Sequence, residues 1–200
     1  MLKIYHVPGT RSLRPVWLCH ELDLAVEIET IDFSPEFRQT PEWRAVSPAG
    51  KVPVMTDGDL TMFESGAMVD YILERYGDGR LRPAPGTAES ALHQQWCWFS
   101  ESTLIRPLGL NLLLRQRDKT GDAIATEGEQ KTRLCLEVVD RAVADREFLL
   151  GADFSAADIM MGFTLQLLGK IKVLDAHYPN ALSYLDRLTA RDAFKRAMRA

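Results

Sequence analysis

Ser47-Pro48-Ala49-Gly50-Lys51-Val52-Pro53-Val54-Met55, followed by Met62-Phe63-Glu64-Ser65-Gly66-Ala67, is the stretch on which the fold turns. Pro53 interrupts an apolar run that otherwise reads as a strand, and proline has no amide to give to a central ladder. The Val52-Pro53 step therefore marks the beginning of a strand or a sharp turn, where the cis form is a candidate. A turned bond there leaves the amide and carbonyl of Val52 pointing out of the sheet, free to pair with an extended, peptide-like ligand as an added strand. Farther on, Glu64-Ser65 precedes the helical run Ala67-Met68-Val69-Asp70-Tyr71-Ile72-Leu73, so Ser65 is expected as its N-cap. Its hydroxyl and the amides behind it would accept a carboxylate. Alone, an edge-strand proline and a helix cap explain these features; together they point to a binding edge.

Working outward, Leu2-Lys3-Ile4-Tyr5-His6-Val7 alternates as a first strand, and Pro8-Gly9 ends it. In the following segment the apolar positions Leu13, Val16, Trp17 and Leu22 follow a helical stripe, and Pro15 is tolerable only in a first turn, so this helix begins between Thr10 and Ser12. Val26 to Asp32 alternates as a second strand, which the helix joins to the first as a parallel crossover. Residues 33–48 hold three prolines and read as loop with a short helix near Pro41-Glu42-Trp43-Arg44. Val52 to Asp57 and Leu60 to Phe63 flank Asp57-Gly58-Asp59 as a hairpin, and a helix from Ser65 to about Tyr76 closes the unit. The breaker-rich run Gly77 to Gly86 is the natural boundary, giving a first domain over residues 1–78, a linker over 79–86 and a second domain over 87–200.

Everything beyond the linker reads as helix. Thr87 caps a long segment through Trp96-Cys97-Trp98-Phe99 to about Asp118, with Pro107 kinking it or ending its first part. Thr126 to Glu147 is amphipathic through Leu134, Val138, Val139 and Val143. Ser155-Ala156-Ala157-Asp158 has the form of a capping box ahead of the apolar Ile159-Met160-Met161-Gly162-Phe163, which makes Asp158 a folding residue. Tyr178 to Arg191 and Ala193 to Met198 supply the last helices.

The 24 basic and 28 acidic residues lack the basic excess that binding a phosphate backbone demands, so nucleic acid is not an expected partner. No aliphatic cluster, Leu112-Leu113-Leu114 included, approaches the roughly twenty residues a bilayer requires, and neither a membrane nor export is expected. Cys19, Cys97 and Cys135 form no Cys-x-x-Cys pair, and the four histidines show no paired ligand spacing. A reducing cytoplasm fits, and no metal is assigned.

The order Gly50-Lys51-Val52-Pro53-Val54 and then Glu64-Ser65-Gly66-Ala67, in the first third of a chain of this size, resembles the glutathione-binding half of the glutathione transferase family. Similarity of the expected kind continues to the C-terminus. The resemblance is to the bacterial cytosolic type with a serine or threonine hydroxyl, not a tyrosine, at the site. It implies an α/β N-terminal thioredoxin-like domain with a mixed four-stranded sheet, an all-α C-terminal helical bundle, glutathione as co-substrate and a homodimer. It assigns Glu64 to the γ-glutamyl ammonium, Ser65 to its carboxylate, Val52 and Pro53 to the peptide backbone, and Lys51 with Arg38 to the glycyl carboxylate. The thiol would lie near Thr10, Arg11 and Ser12. Family members carry a serine, tyrosine or cysteine in this loop; counting back from Arg14 to the usual serine position reaches Thr10, with Ser12 the other donor and Arg11 a cationic alternative. Ser12 also reads as a helix cap, Thr10 as a turn residue, and Arg14 as a brace for the helix or a partner for a carboxylate. A small hydrophobic electrophile would lie between the domains, against Trp98, Glu101, Ser102, Ile105 and Arg106; aromatic core and solvated charges are the alternative reading of those five. The implied activity is conjugation of glutathione in cytoplasmic detoxification. Isomerisation or thiol reduction on the same site, and a non-catalytic binding protein of the same fold, are the competing functions.

Overall fold

In the computed structural model, which describes residues 1–116 and 123–200, Leu2, Ile4 and His6 alternate with more exposed neighbours along β1 (Leu2–His6) and are all buried. The chain passes through α1 (Leu13–Glu21) to β2 (Glu27–Thr30), which runs parallel to β1 with Ile4 opposite Ile28. A single turn of 3-10 helix (Phe37–Gln39) leads to α2 (Pro41–Val46), where the Thr40 hydroxyl accepts the Trp43 amide at 3.2 Å. β3 (Val54–Asp57) and β4 (Leu60–Phe63) then form a hairpin whose turn uses Gly58 at φ +59°. β3 is antiparallel to both β1 and β4, giving a mixed sheet of order β2-β1-β3-β4.

α3 (Ser65–Tyr76) completes this unit. Its buried positions Met68, Val69, Ile72 and Leu73 recur at helical spacing, and it packs against α1, which buries the expected stripe of Leu13, Val16, Trp17 and Leu22.

Residues Leu81–Thr189 form a second, helical unit. α4 (Ala88–Trp98) starts at Thr87, whose hydroxyl accepts the Ser90 amide at 3.1 Å. The long helix expected from there does not break at Pro107: a π-helical stretch (Phe99–Leu104) precedes α5 (Ile105–Gln116), and Pro107 falls in the first turn of α5, where its ring leaves the Thr103 carbonyl without its helical donor. The Thr103 carbonyl, four residues before that proline, accepts the Cys135 thiol at 3.9 Å. The expected end at Asp118 lies outside the described residues.

α6 (Ala123–Ala142) is shifted from the expected 126–147. Its buried stripe runs through Ala125, Gly128, Thr132, Cys135, Leu136 and Val139, while Leu134 is 59% exposed. Of the expected apolar positions Val139 and Val143 are buried, while small and polar residues carry the inward face at the level of the exposed Leu134.

α7 (Ala156–Lys170) is the central buried helix, and Asp158 closes back on Ser155 as expected, taking its amide at 2.8 Å and its hydroxyl at 2.9 Å. Asp158 also accepts the Leu149 amide at 2.9 Å and, from α8 (Pro179–Ala190), the Tyr184 hydroxyl at 2.6 Å. Burial pushes the Asp158 carboxyl above its ordinary value while these donors pull the other way, and burial holds Tyr184 protonated as a donor.

α9 (Asp192–Ala197) corrects the expected domain division. Residues Ala190–Ala200 belong with Met1–Arg80, not with the helical unit. Phe194 packs edge-on against Trp17 at 4.9 Å, and Arg191 grips Glu21 through two nitrogens at 2.7 and 2.8 Å while the Trp17 indole donates to the same carboxylate at 2.8 Å. The expected fold class, a thioredoxin-like mixed sheet followed by a helical domain, is borne out, with the last helix returned to the first unit. No helix among the described residues is long and apolar enough to cross a membrane.

Candidate functional site

Sheet register gathers the candidate residues of the first unit. Tyr5 near the end of β1 pairs with Val54 at the beginning of β3, and Val54 pairs with Phe63 at the end of β4. The loop after β1, the residues before β3 and the residues after β4 therefore emerge at the same end of the sheet. They carry Thr10 to Ser12, Lys51 to Pro53, and Glu64 to Ser65.

The Val52-Pro53 bond is cis. Val52 lies beyond the last paired residue of β3, and among the described residues neither its amide nor its carbonyl has a hydrogen-bond partner. Just before it the chain is held firmly: the buried Ser47 hydroxyl donates to the Lys51 carbonyl at 2.8 Å and accepts the Lys51 amide at 2.9 Å. Gly50 sits at φ +61°, and a Cβ there would stand 2.9 Å from the Arg38 carbonyl oxygen. Main-chain groups of this kind, fixed in place yet unpaired, are ready to accept an added strand.

Around them stand charges with no ion-pair partner among the described residues: the exposed Lys51 ammonium, the exposed Glu64 carboxylate, and the Arg38 guanidinium, which lies over the Phe33 ring at 4.9 Å with its Nε buried. Glu64 holds φ +74°, a conformation that costs a non-glycine residue about 1–3 kcal/mol and is commonest where function demands it. Glu64, not Ser65, is the residue flanking α3, and no side chain caps that helix. This corrects the expected cap. Ser65 is the first helical residue, 3% exposed, and its hydroxyl accepts Arg14 Nη1 at 3.0 Å. Arg14, fully buried, thus braces α3 through the Ser65 hydroxyl. The leading amides of α3, which have no acceptor within the helix, remain for an anion.

The three residues of the loop after β1 separate clearly. Arg11 is exposed and Thr10 half-buried, whereas Ser12 is completely buried. Ser12 flanks α1 without capping it, because its hydroxyl is turned inward: it accepts the Val7 amide at 3.1 Å and lies 2.8 Å from both His6 Nδ1 and Thr10 Oγ1. Thr10 also approaches the Val7 carbonyl at 2.8 Å. His6 is the neighbour of these hydroxyls that sequence reasoning missed; it read only as one of four histidines without ligand spacing. The available signal was its place as the third inward residue of β1, one turn from two hydroxyls. Burial holds its imidazole below the ordinary value, so it is neutral at neutral pH.

In the helical unit, Ser102 and Arg106 line a cavity of about 760 Å³ whose apolar wall includes Leu110, Ile124 and Leu134. Arg106 has no ion-pair partner among the described residues. Of the other residues expected at a second-substrate wall, Trp98 is 66% exposed, Glu101 is half-buried and Ile105, 4% exposed, belongs to the core of the helical unit. The aromatic core of this helix is Trp96, not Trp98. Among the described residues no group of three or more histidine, cysteine or acidic side chains is placed to hold a metal ion.

Residues 1–74 match the family model described as glutathione S-transferase, N-terminal domain. The chain is 27% identical over 180 residues to glutathione S-transferase 3 of Schizosaccharomyces pombe, covering 82% of this chain and 73% of that protein. Among solved structures it resembles a ternary complex of BphK, a bacterial GST, at a TM-score of 0.87 and 27% identity over 98% of each chain. A glutathione transferase family member from Pseudomonas fluorescens, with two glutathione bound, shares the fold at a TM-score of 0.89 and 24% identity, covering 98% of this chain and 92% of that one.

Proposed function

We propose that this protein is a glutathione transferase: its first unit binds glutathione, stabilises the thiolate and delivers it to a small hydrophobic electrophile. The observation that carries the reading is the unpaired main chain of Val52 beside an uncapped α3 N-terminus, with Lys51, Arg38 and Glu64 unpaired around them. Glutathione has the complementary groups: a peptide backbone for Val52, a carboxylate for the amides and hydroxyl at Ser65, an ammonium for Glu64, and a second carboxylate for Lys51 and Arg38. A ligand lying across Val52 brings its sulfur toward the loop that follows β1.

There the half-buried Thr10 hydroxyl is the donor, and the fully buried Ser12 is not. A free thiol with a pKa of about 8.5 is only a few per cent ionised at neutral pH. Lowering that value by about two units takes ~2.7 kcal/mol. One hydrogen bond to a charged acceptor supplies about 1.5–3 kcal/mol, and a helix N-terminus such as that of α1 adds about 0.3–1 kcal/mol. A single hydroxyl therefore suffices, with no separate base. The apolar wall of Leu110, Ile124 and Leu134, with Ser102 and Arg106, supports a hydrophobic second substrate. The absence of cysteine from residues 8–15 disfavours reduction through a mixed disulfide. A cytoplasmic homodimer is part of the same reading.

The test is retention on immobilised glutathione combined with conjugation of a generic aromatic electrophile. Retention and turnover are expected. Retention without turnover would leave a binding protein of this fold, and a folded sample that is not retained would remove the reading.

A further inference from the structure

The Thr10 hydroxyl has one proton, and the network behind it decides where that proton points. Ser12 Oγ has two lone pairs and one proton of its own. One lone pair is taken by the Val7 amide at 3.1 Å. The second goes either to His6 Nδ1 or to Thr10 Oγ1, both at 2.8 Å. The choice follows from His6, which is 1% exposed, neutral, and has no partner other than Ser12 for its ring nitrogens among the described residues. With the proton on Nε2, Ser12 would donate to Nδ1 and take its second bond from Thr10, whose proton would then be spent inside the protein. With the proton on Nδ1, His6 donates to Ser12 and fills its second lone pair. Ser12 must then send its own proton to Thr10 Oγ1 or to the Val7 carbonyl, 3.1 Å away. Thr10 Oγ1, which also receives the Ser12 amide at 3.3 Å, can no longer donate to Ser12. Its one remaining internal acceptor is the Val7 carbonyl, which already takes the Thr10 amide at 3.2 Å.

We propose that His6, protonated at Nδ1, and Ser12 are positioning residues that turn the Thr10 hydroxyl proton toward the sulfur of bound glutathione. The inference rests on the glutathione reading above. The thiol releases its proton to solvent, and the chain His6 to Ser12 to Thr10 stays neutral, each member donating to the next. A thiolate, being charged, outcompetes the Val7 carbonyl for the last proton, and donation from behind strengthens the bond that Thr10 makes.

The experiment is an ultraviolet titration of the thiolate of protein-bound glutathione, with binding of S-methylglutathione, which has no thiol to ionise, measured in parallel. Thr10→Val is expected to move the bound-thiol titration upward by about one unit or more, a loss of about tenfold in thiolate below the titration range. His6→Leu and Ser12→Ala are expected to move it upward by about half a unit, or about threefold. His6→Asn, whose amide offers an N–H where Nδ1–H stood, is expected to titrate as the unaltered protein does. S-methylglutathione is expected to bind all four variants with unaltered affinity, which separates loss of donation from loss of the site. Should His6→Leu fail to fold, Ser12→Ala against His6→Asn carries the same contrast. The inference is overturned if Thr10→Val shifts the titration while Ser12→Ala does not, or if His6→Asn behaves as His6→Leu does; in either case glutathione binding itself stands. If the unaltered protein binds no glutathione, the functional reading falls and this one with it.

Discussion

Removing the Ser65 hydroxyl is expected to act on stability and on ligand binding by separable amounts. Ser65 Oγ accepts a hydrogen bond at 3.0 Å from Arg14, whose guanidinium is fully buried. Ser65→Ala takes one acceptor from a desolvated cation, at about 1.5–3 kcal/mol. Arg14→Met removes the charge while keeping much of the side-chain length, leaves the Ser65 hydroxyl without that donor and gives up Arg14's other contacts as well, so it is expected to cost more than Ser65→Ala. Once either partner is gone, losing the other costs less, so the double variant is expected to be more stable than the sum of the single losses predicts by about 1–2 kcal/mol. Urea unfolding followed by tryptophan fluorescence measures all four corners of the cycle. Additivity within about 0.5 kcal/mol would show that the two groups are not coupled and refute the brace between α1 and α3. On the ligand side, the same Ser65→Ala change removes one hydrogen bond to a carboxylate and is expected to weaken glutathione binding about tenfold or more. Unchanged affinity in the presence of the stability loss would make Ser65 purely a brace.

Three further outcomes are expected. His6, His20 and His93 are each held below the ordinary 6.5, burial being the largest cause in every case. The unfolded chain therefore takes up protons first, and stability fully present above about pH 6.5 is lost as the pH falls through the folded-state values; urea midpoints that stay flat from neutrality down to the upper edge of the carboxylate range would contradict this. Phe194→Ala removes a ring that is 6% exposed and packed on Trp17, and is expected to cost about 3–5 kcal/mol in unfolding of the first unit, whereas a neutral result would detach α9 from that unit's core. Gly50→Ala places a Cβ 2.9 Å from the Arg38 carbonyl at φ +61° and is expected to lower stability by more than about 1 kcal/mol and to weaken glutathione binding with it, both readable from denaturation and binding of one purified variant.

Much of the fold was legible because local rules and tertiary packing agree over most of it. The hairpin at Gly58, the helix from Ser65 to Tyr76, the Thr87 cap and the box at Ser155 and Asp158 were all visible in short-range chemistry. The misplaced elements are those where tertiary partners decide. Residues 190–200 read as one more helix in a helical run, and long-range pairings, Arg191 with Glu21, Phe194 with Trp17 and Arg196 with His20 and Asp23, draw them to the first unit. Leu134 looked like core because α6 buries small residues in its place. At the site, the sequence offered two hydroxyls at Thr10 and Ser12 and could not rank them. They differ in burial, Ser12 being turned inward to within 2.8 Å of His6 Nδ1 while Thr10 stays half-buried. Ser65 was misread as a cap because serine before an apolar run usually is one, whereas here the buried Arg14 claims its hydroxyl and Glu64 takes the strained flanking position.

Amide hydrogen exchange at Val52, measured with and without saturating glutathione, probes most directly the idea that this main-chain edge is the ligand's docking strand. The Val52 amide has no acceptor among the described residues, so it is expected to exchange quickly in the unliganded protein and to slow at least tenfold when the tripeptide pairs with it. Bound glutathione that leaves the Val52 rate untouched would contradict the account.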